Sequence, residues 1–422
     1  MRGIWANNFA AAFPAMCPTG IMATIFMQQG FEMLRSSPFG WTAQYMFGFY
    51  FNYGVYLPFW AVWLNSLGIP AGDIGVLLGL GLGVRCFANM VLTPRVHQVE
   101  HLLPALRWLA VLSLICCVSF VMVSGNLIAL TAVIVLFNIL VGPVIPLTDS
   151  LANYYAKHGH LDYGRTRLWG SIAFIVGSTI AGMAAAEFGA AVIPWVAVGG
   201  LGAALLLSLR QPTVLPSEAT TVRQPRPPLL GILRDKRVMR FLIIVALLQG
   251  SHAAYYSFSA MYWKTIGYSE AVSGYLWSFS VIAEVAVFAL SKRLFAGWSV
   301  AAMFRLAAAG VLLRWGLTAT MTELPMLVLT QALHGVTFAA AHLAAIRYIQ
   351  HAQSHQMVAL QALYNALPLG AVMAALTTLS GWGYGWWGAD VFWLMAIMGL
   401  PVLLMSIDES PQTEPRAARE VH

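Results

Sequence analysis

The sequence predicts an all-α integral membrane protein, with twelve transmembrane helices arranged as two six-helix halves. Three observations carry that expectation. Of the 422 residues, 59% are hydrophobic and 9% charged, with a mean hydropathy of +0.73, far outside the range of water-soluble chains. Apolar runs of about 20 residues recur, the length a helix needs to cross about 30 Å of hydrocarbon. A polar, proline-rich segment then divides those runs six and six. A β-barrel is excluded, because barrel strands alternate apolar and polar residues in segments of about ten and these runs are continuously apolar.

The chain opens with MRGIWANNFAAAFPAMCPTGIMATIFMQQGFE, broken by Pro14, Pro18 and Gly20. It lacks the basic start, apolar core and small-residue cleavage site of a signal peptide. Met33 heads a short basic leader, MLRSSPFGW, and is the expected natural start, so residues 1–32 are expected to be an upstream extension or an unstructured tail, with 1–40 forming extension plus leader. The first half, 41–209, holds apolar runs near 43–66, 74–94, 102–124, 127–149, 166–187 and 189–209. Residues 210–237 include QPTVLPSEATTVRQPRPPLLGILRDKR, the composition of a linker. The second half, 238–408, holds runs near 238–263, 270–291, 298–319, 323–346, 355–380 and 386–407, and a polar tail, 409–422, follows. Pro58, Pro143, Pro146 and Pro368 lie inside runs and predict kinks.

The formal charge of +7 does not point to nucleic acid, because the cations are distributed by loop. Arg95, Arg107, Lys157, Arg165, Arg167, Lys292, Arg293, Arg305 and Arg347 lie in or beside every second connection, together with the cluster from Arg210 to Arg240. The alternate connections carry Asp73, Glu187, Glu270 and Glu323, with Lys264 as their lone cation. Short loops rich in Lys and Arg stay in the cytoplasm, so both termini and the linker are expected there. Cys17, Cys86, Cys116 and Cys117 have neither metal-site spacing nor a disulfide pattern.

The halves carry a weak internal repeat at an offset of about 199 residues, in which WLNSLGIPAGDIG (63–75) lies over YWKTIGYSEAVSG (262–274). Gly68 then falls on Gly267, Gly75 on Gly274, Tyr56 on Tyr255 and Arg85 on Glu284. Parallel repeats of this kind bind substrate near the midplane, where the halves meet.

A charge at the bilayer centre costs about 2.5 to 3.5 kcal/mol on insertion scales, which makes each one a functional candidate. Arg85, Glu284 and Arg314 lie mid-run, Asp149 closes the fourth run and Arg167 opens the fifth. Asp149 and Arg167 have two readings, a snorkelling pair that orients a hairpin or a pair beside the substrate. Arg165 and Arg167 are two apart and point to different helix faces, so one can serve the interface while the other turns inward. For Arg85, Glu284 and Arg314 the alternative is a structural ion-pair network. Three cations face two acids, a deficit that an anionic substrate would fill. His252 and His334 add groups that titrate near neutrality, and Glu284 is the candidate proton site with His334 as relay. Tyr53, Tyr56, Tyr255 and Trp277 are the candidate cavity-facing aromatics, because stacked rings with a guanidinium fork suit an aromatic carboxylate.

DYGRTRLWG (162–170) resembles the motif that opens the fifth helix in the lactose permease type of proton symporter, in the major facilitator superfamily. That resemblance implies substrate contacts for Asp149 and Arg167, and it matches Glu284, Arg314 and His334 to the acid, arginine and histidine of helices 8, 9 and 10. The chain departs from the pattern at Thr337, Gln331 and the surroundings of Tyr255, and the superfamily loop is degraded in LTPRVHQVEHL (92–102). Longer stretches, among them YGVYLPFWAVWLNSLG, PLTDSLANYY and LLQGSHAAYYSFSAMYW, look like the phenylpropionate permeases of Gram-negative bacteria. This implies the major facilitator fold and proton-coupled uptake of 3-phenylpropionate or a related aromatic acid across the inner membrane, by a monomer. A sugar or nucleoside symporter is the alternative. The sequence holds no nucleophile, metal-cluster or cofactor motif for an enzyme, and its tail is too short for a receptor's signalling domain.

Overall fold

The computed structural model describes residues 35–96, 98–217 and 229–411. The expectations for residues 1–32, for most of the linker and for the end of the tail lie outside the described residues. The rest is helical apart from connections and one short parallel pairing of Arg35–Ser36 with Gln211–Pro212. In chain order the helices are α1 (Pro38–Ser66), α2 (Ala71–Leu92), α3 (Leu102–Met122), α4 (Leu127–Val141), α5 (Val144–Lys157), α6 (Tyr163–Phe188), α7 (Ile193–Ser208), and the short α8 (Leu229–Leu233). The second set is α9 (Lys236–Gly250), α10 (Ala253–Thr265), α11 (Glu270–Leu294), α12 (Val300–Thr320), α13 (Leu324–Ala332), α14 (Ala341–Gln350), α15 (Ser354–Ala366), α16 (Met373–Trp387), α17 (Val391–Ile397) and α18 (Gly399–Leu404).

Ten helical stretches among the described residues are long and apolar enough to cross a membrane. The last, Gln356–Leu404, runs for 49 residues and covers two of the runs read from the sequence. Helix α1, 29 residues long, falls outside the ten. It is uncharged, but its Tyr, Trp, Asn and Gly residues make it less hydropathic than the aliphatic spans.

Local chemistry sets the helix ends. Ser37, Asn126, Asp162, Asp235, Ser269 and Ser299 each accept a hydrogen bond from a backbone N–H in the first turn that follows, which satisfies donors the helix leaves unpaired. Gly68 and Gly267 end the first long helical stretch of each set in the left-handed region, with φ of 81° and 96°, where a side chain would be strained. At the C-terminus of α7, Arg107 donates to the carbonyls of Ser208 and Arg210 at 2.8 and 2.9 Å.

Proline predicts the breaks only in part. Pro58 sits inside an unbroken α1, while Gly142–Pro143 separates α4 from α5 and Pro368 lies in a π-helical turn, Leu367–Val372. A second π-turn, Gly335–Ala340, follows His334, and Ser251–His252 divides α9 from α10, both without a proline.

The buried apolar residues form two clusters. One is built on α1 to α7, with Trp60, Trp63, Phe120 and Phe137 packed edge-on or tilted at its centre. The other is built on α9 to α18 around Tyr255, Trp263, Trp277 and Trp315. Helices α2 and α16, and likewise α6 and α11, join the clusters through small residues. A Cβ on Gly75 would lie 2.6 Å from the Cα of Gly381, and one on Gly274 would lie 2.5 Å from the Ser178 carbonyl oxygen. Ser178 and Thr179 each hydrogen-bond Ser278 at 2.9 Å. These contacts lie toward the face bearing Asp73, Glu187 and Glu270, called here the acidic face. Toward the opposite, basic face, α5 packs on α1, α3, α4 and α6.

Candidate functional site

The buried charges of the second cluster form a chain of three side chains. Arg314 is fully buried, at 0% exposure. Its Nε donates to the Thr330 carbonyl at 2.7 Å, and Nη1 donates to Thr337 Oγ1 at 3.0 Å and to His334 Nδ1 at 2.9 Å. The guanidinium carbon lies 4.6 Å from the Tyr255 ring centre and 4.2 Å from that of Trp315, two adjoining cation–π contacts that stabilise a charge cut off from water. Nη2 is buried without a partner among the described residues. On the far side of the imidazole, His334 Nε2 lies 3.4 Å from Glu284 Oε2.

This order fixes a tautomer. A guanidinium group can only donate. Nδ1 of His334 must therefore accept, the ring is neutral, and its hydrogen sits on Nε2, facing Glu284. The sequence also allows a direct ion-pair network of Arg85, Glu284 and Arg314, but among the described residues His334 stands between Glu284 and Arg314. A proton on Glu284 could be donated to Nε2 only if Nδ1 became the donor, and two donors cannot share the contact with Arg314.

His252 closes the network from the α9–α10 break, with Nε2 3.1 Å from Thr337 Oγ1 and Nδ1 3.1 Å from the Leu248 carbonyl. The Tyr255 hydroxyl donates to Gln331 at 2.7 Å, and its ring stacks on Trp277 at 4.6 Å. Trp277 in turn donates to Ser259 at 3.1 Å. Thr337 and Gln331, the positions where the chain departs from the sugar symporter pattern, are therefore both built into the network. The π-turn after His334 lets Gly335 sit against the Ala283 carbonyl, bringing helix α11 and Glu284 close. Wide turns of this kind recur at functional sites.

Glu284 is crowded yet keeps 24% of its side chain accessible. Arg167, across from it on α6, and His342 are its charged or titratable neighbours. Tyr256 lies near Glu284, Tyr53 and Arg314, which brings aromatic groups from both clusters together.

In the first cluster, Arg167 lies with its guanidinium carbon 4.4 Å from the Tyr50 ring centre. Gly170 makes this possible, since a Cβ there would meet both Arg167 Nη1 and the Tyr50 ring. Arg165 is exposed and Arg167 half-buried, the division expected from their spacing. Asp162 caps α6 by accepting from the Arg165 N–H at 2.8 Å. Asp149 accepts from the Tyr163 hydroxyl at 3.3 Å and forms no ion pair with Arg167 within 4 Å among the described residues. Arg85 is also without an acid there. Its Nε donates to Asn138 Oδ1 at 3.1 Å, and it lies 5.5 and 5.7 Å from the ring centres of Tyr53 and Tyr56. Asn138 also donates to the Tyr56 hydroxyl at 3.3 Å. Sequence reasoning missed Asn138; its one signal is a lone amide in the run IVLFNILV.

A cavity of about 710 Å³ opens elsewhere, at the acidic face, between Asn65, Lys264, Trp382 and Trp386. Lys264 there pairs with Glu270 at 2.5 Å. No group of three or more His, Cys, Asp or Glu side chains is placed to hold a metal among the described residues.

Comparison with known proteins bears on what this arrangement does. The model of the MFS_1 like family matches residues 41–395. A protein of Escherichia coli (strain K12) named "Probable 3-phenylpropionic acid transporter" is 41% identical over 365 residues, 86% of this chain and 96% of its own length. Among solved structures, the nucleoside transporter NupG superposes with a TM-score of 0.75 at 14% identity, covering 87% of this chain and 98% of its own. A D-xylose-proton symporter superposes with a TM-score of 0.62 at 15% identity, covering 87% and 97%. At such identities the structural likeness establishes the fold alone. The matches are transporters, in agreement with the class read from the sequence.

Proposed function

We propose, from the premise that this chain belongs to the MFS_1 like family, that it carries 3-phenylpropionate or a related aromatic carboxylate inward together with protons. The relative that is 41% identical bears the name of such a transporter. The observation that carries the reading is the surplus of cations in an aromatic space: Arg85, Arg167 and Arg314 against Asp149 and Glu284, with Tyr53, Tyr56, Tyr255 and Trp277 around them. An anion with a flat ring completes both the charge and the stacking.

The fold is read as twelve crossings in two halves, 41–209 and 238–408. Helix α1 is long enough to span, and the stretch Gln356–Leu404 is long enough to do so twice. Positions about 199 residues apart behave alike, which supports a repeat. Gly68 and Gly267 both end helices at positive φ, as do Gly189 and Gly388. The pair Gly75 with Gly381 mirrors the pair Gly274 with Gly182. Asn138, the partner of Arg85, mirrors Thr337, the partner of Arg314. The basic face is assigned to the cytoplasm and the membrane to the bacterial inner membrane, with both termini inside. One chain supplies both halves, so a monomer suffices.

In this reading Glu284 takes the proton, His334 changes tautomer, and Arg314 shifts its hydrogen bond. His252 and Thr337 follow, because they share that network. Asp149 and Arg167 flank the space and exchange partners as the halves rock. The test is uptake of labelled 3-phenylpropionate into membrane vesicles with and without a pH gradient, competed by cinnamate, lactose and nucleosides. Accumulation that needs the gradient and yields to cinnamate is expected. Competition by lactose or a nucleoside instead would overturn the substrate. Glu284→Gln should abolish gradient-driven accumulation yet leave exchange of internal for external substrate running.

A further inference from the structure

We infer that Arg85, and not the more deeply buried Arg314, is the group that receives the substrate carboxylate. The inference rests on the aromatic-acid reading above and deepens it.

The two guanidinium groups differ in what they have left to give. Arg314 spends Nε and Nη1 on Thr330, His334 and Thr337, and the adjoining rings of Tyr255 and Trp315 lie 4.6 and 4.2 Å from its guanidinium carbon. Only Nη2 is unbonded, and it is buried. A carboxylate approaching it would have to displace a ring or the imidazole. Arg85 spends only Nε, on the neutral amide of Asn138. Its two terminal nitrogens bond no described residue and are not sealed from solvent. They form the parallel pair of donors that a carboxylate accepts in bidentate fashion.

Asn138 is suited to this task because it is neutral. It is itself held by the Ile134 carbonyl at 2.9 Å and the Tyr56 hydroxyl at 3.3 Å, so it fixes the direction of Arg85 without cancelling its charge. An aspartate at that place would compete with the substrate. Arg85 also lies at the seam between the two clusters. Its neighbour Cys86 reaches across to the Ala366 carbonyl at 3.5 Å, and Cys86 fills the space beside Gly370 in the π-turn of the opposite half. Tyr53, against Arg85, is also a neighbour of Tyr256. A ligand held by the Arg85 fork therefore has an aromatic group of each half within reach of its ring.

The test is direct binding to purified full-length protein, comparing 3-phenylpropionate with its uncharged amide. The unmodified protein is expected to favour the acid. Arg85→Gln should weaken the acid about thirty-fold, the scale of a lost charge-assisted pair, and leave the amide unchanged, which also shows that the variant is folded. Asn138→Asp keeps the arginine but adds a rival carboxylate, and it should weaken the acid in the same selective way. Undiminished preference for the acid in both variants would overturn the assignment of Arg85. Failure of the unmodified protein to bind either compound would overturn the aromatic-acid reading itself.

Discussion

Single residues show most plainly what the sequence can and cannot reveal. Arg85, Asp149, Arg167, Glu284 and Arg314 stand out without any structure, because a charge in an apolar run is costly and has to be held by something. What holds each is not written in the run. The order Arg314, His334, Glu284 depends on how helices α11, α12 and the π-turn are spaced, and Asn138 passes unnoticed because a lone amide in a span is unremarkable. The division of labour between Arg165 and Arg167 was legible from their spacing, and so was a special place for the second. Arg167→Ala should therefore abolish uptake, a loss of at least about 2 kcal/mol in carboxylate or acid contacts, with unchanged abundance in the membrane. Quantitative immunoblotting beside a transport assay checks both halves of that statement. Unimpaired uptake would return Arg167 to a purely orienting role at the interface.

Helices and turns follow local rules where backbone groups must be satisfied, and escape them where packing decides. The capping residues Ser37, Asn126, Asp162, Asp235, Ser269 and Ser299 are of the types that start helices, and they can be read directly. The break at Ser251–His252 has no proline to announce it. Pro58 lies within a helix that stays continuous through it. Glycine has the same ambiguity. Gly274 has the Ser178 backbone against it, whereas Gly199 has nothing within 4 Å of its missing side chain. Gly274→Ala should consequently lower stability by about 1 to 3 kcal/mol through overpacking, while Gly199→Ala should be neutral or slightly stabilising through helix propensity. Thermal unfolding in detergent distinguishes them, and equal melting temperatures would contradict the packing described here.

For the molecule entire, hydropathy sufficed to foresee a helical membrane protein, and the positions 199 apart foreshadowed the paired glycines. Neither could foresee how closely α2 meets α16 and α6 meets α11. That arrangement is a property of helix tilts, which periodicity does not encode. It can be trapped: with cysteines at both positions 178 and 278, whose hydroxyls now approach to 2.9 Å, oxidation should join the halves and halt uptake, and a reductant should restore it. Transport that continues through an intact cross-link would mean that this junction never opens. At its closest points the junction is bare backbone, Gly75 on Gly381 and Gly182 beside Gly274. Such ridges carry no interlocking rotamers to unthread and little side-chain entropy to release or recapture. Their separation forfeits mainly dispersion and a few hydroxyl bonds, so the latch has no teeth of its own. Which way the protein points is then left to the ions inside it, and cargo and proton act as the hand on an otherwise indifferent door.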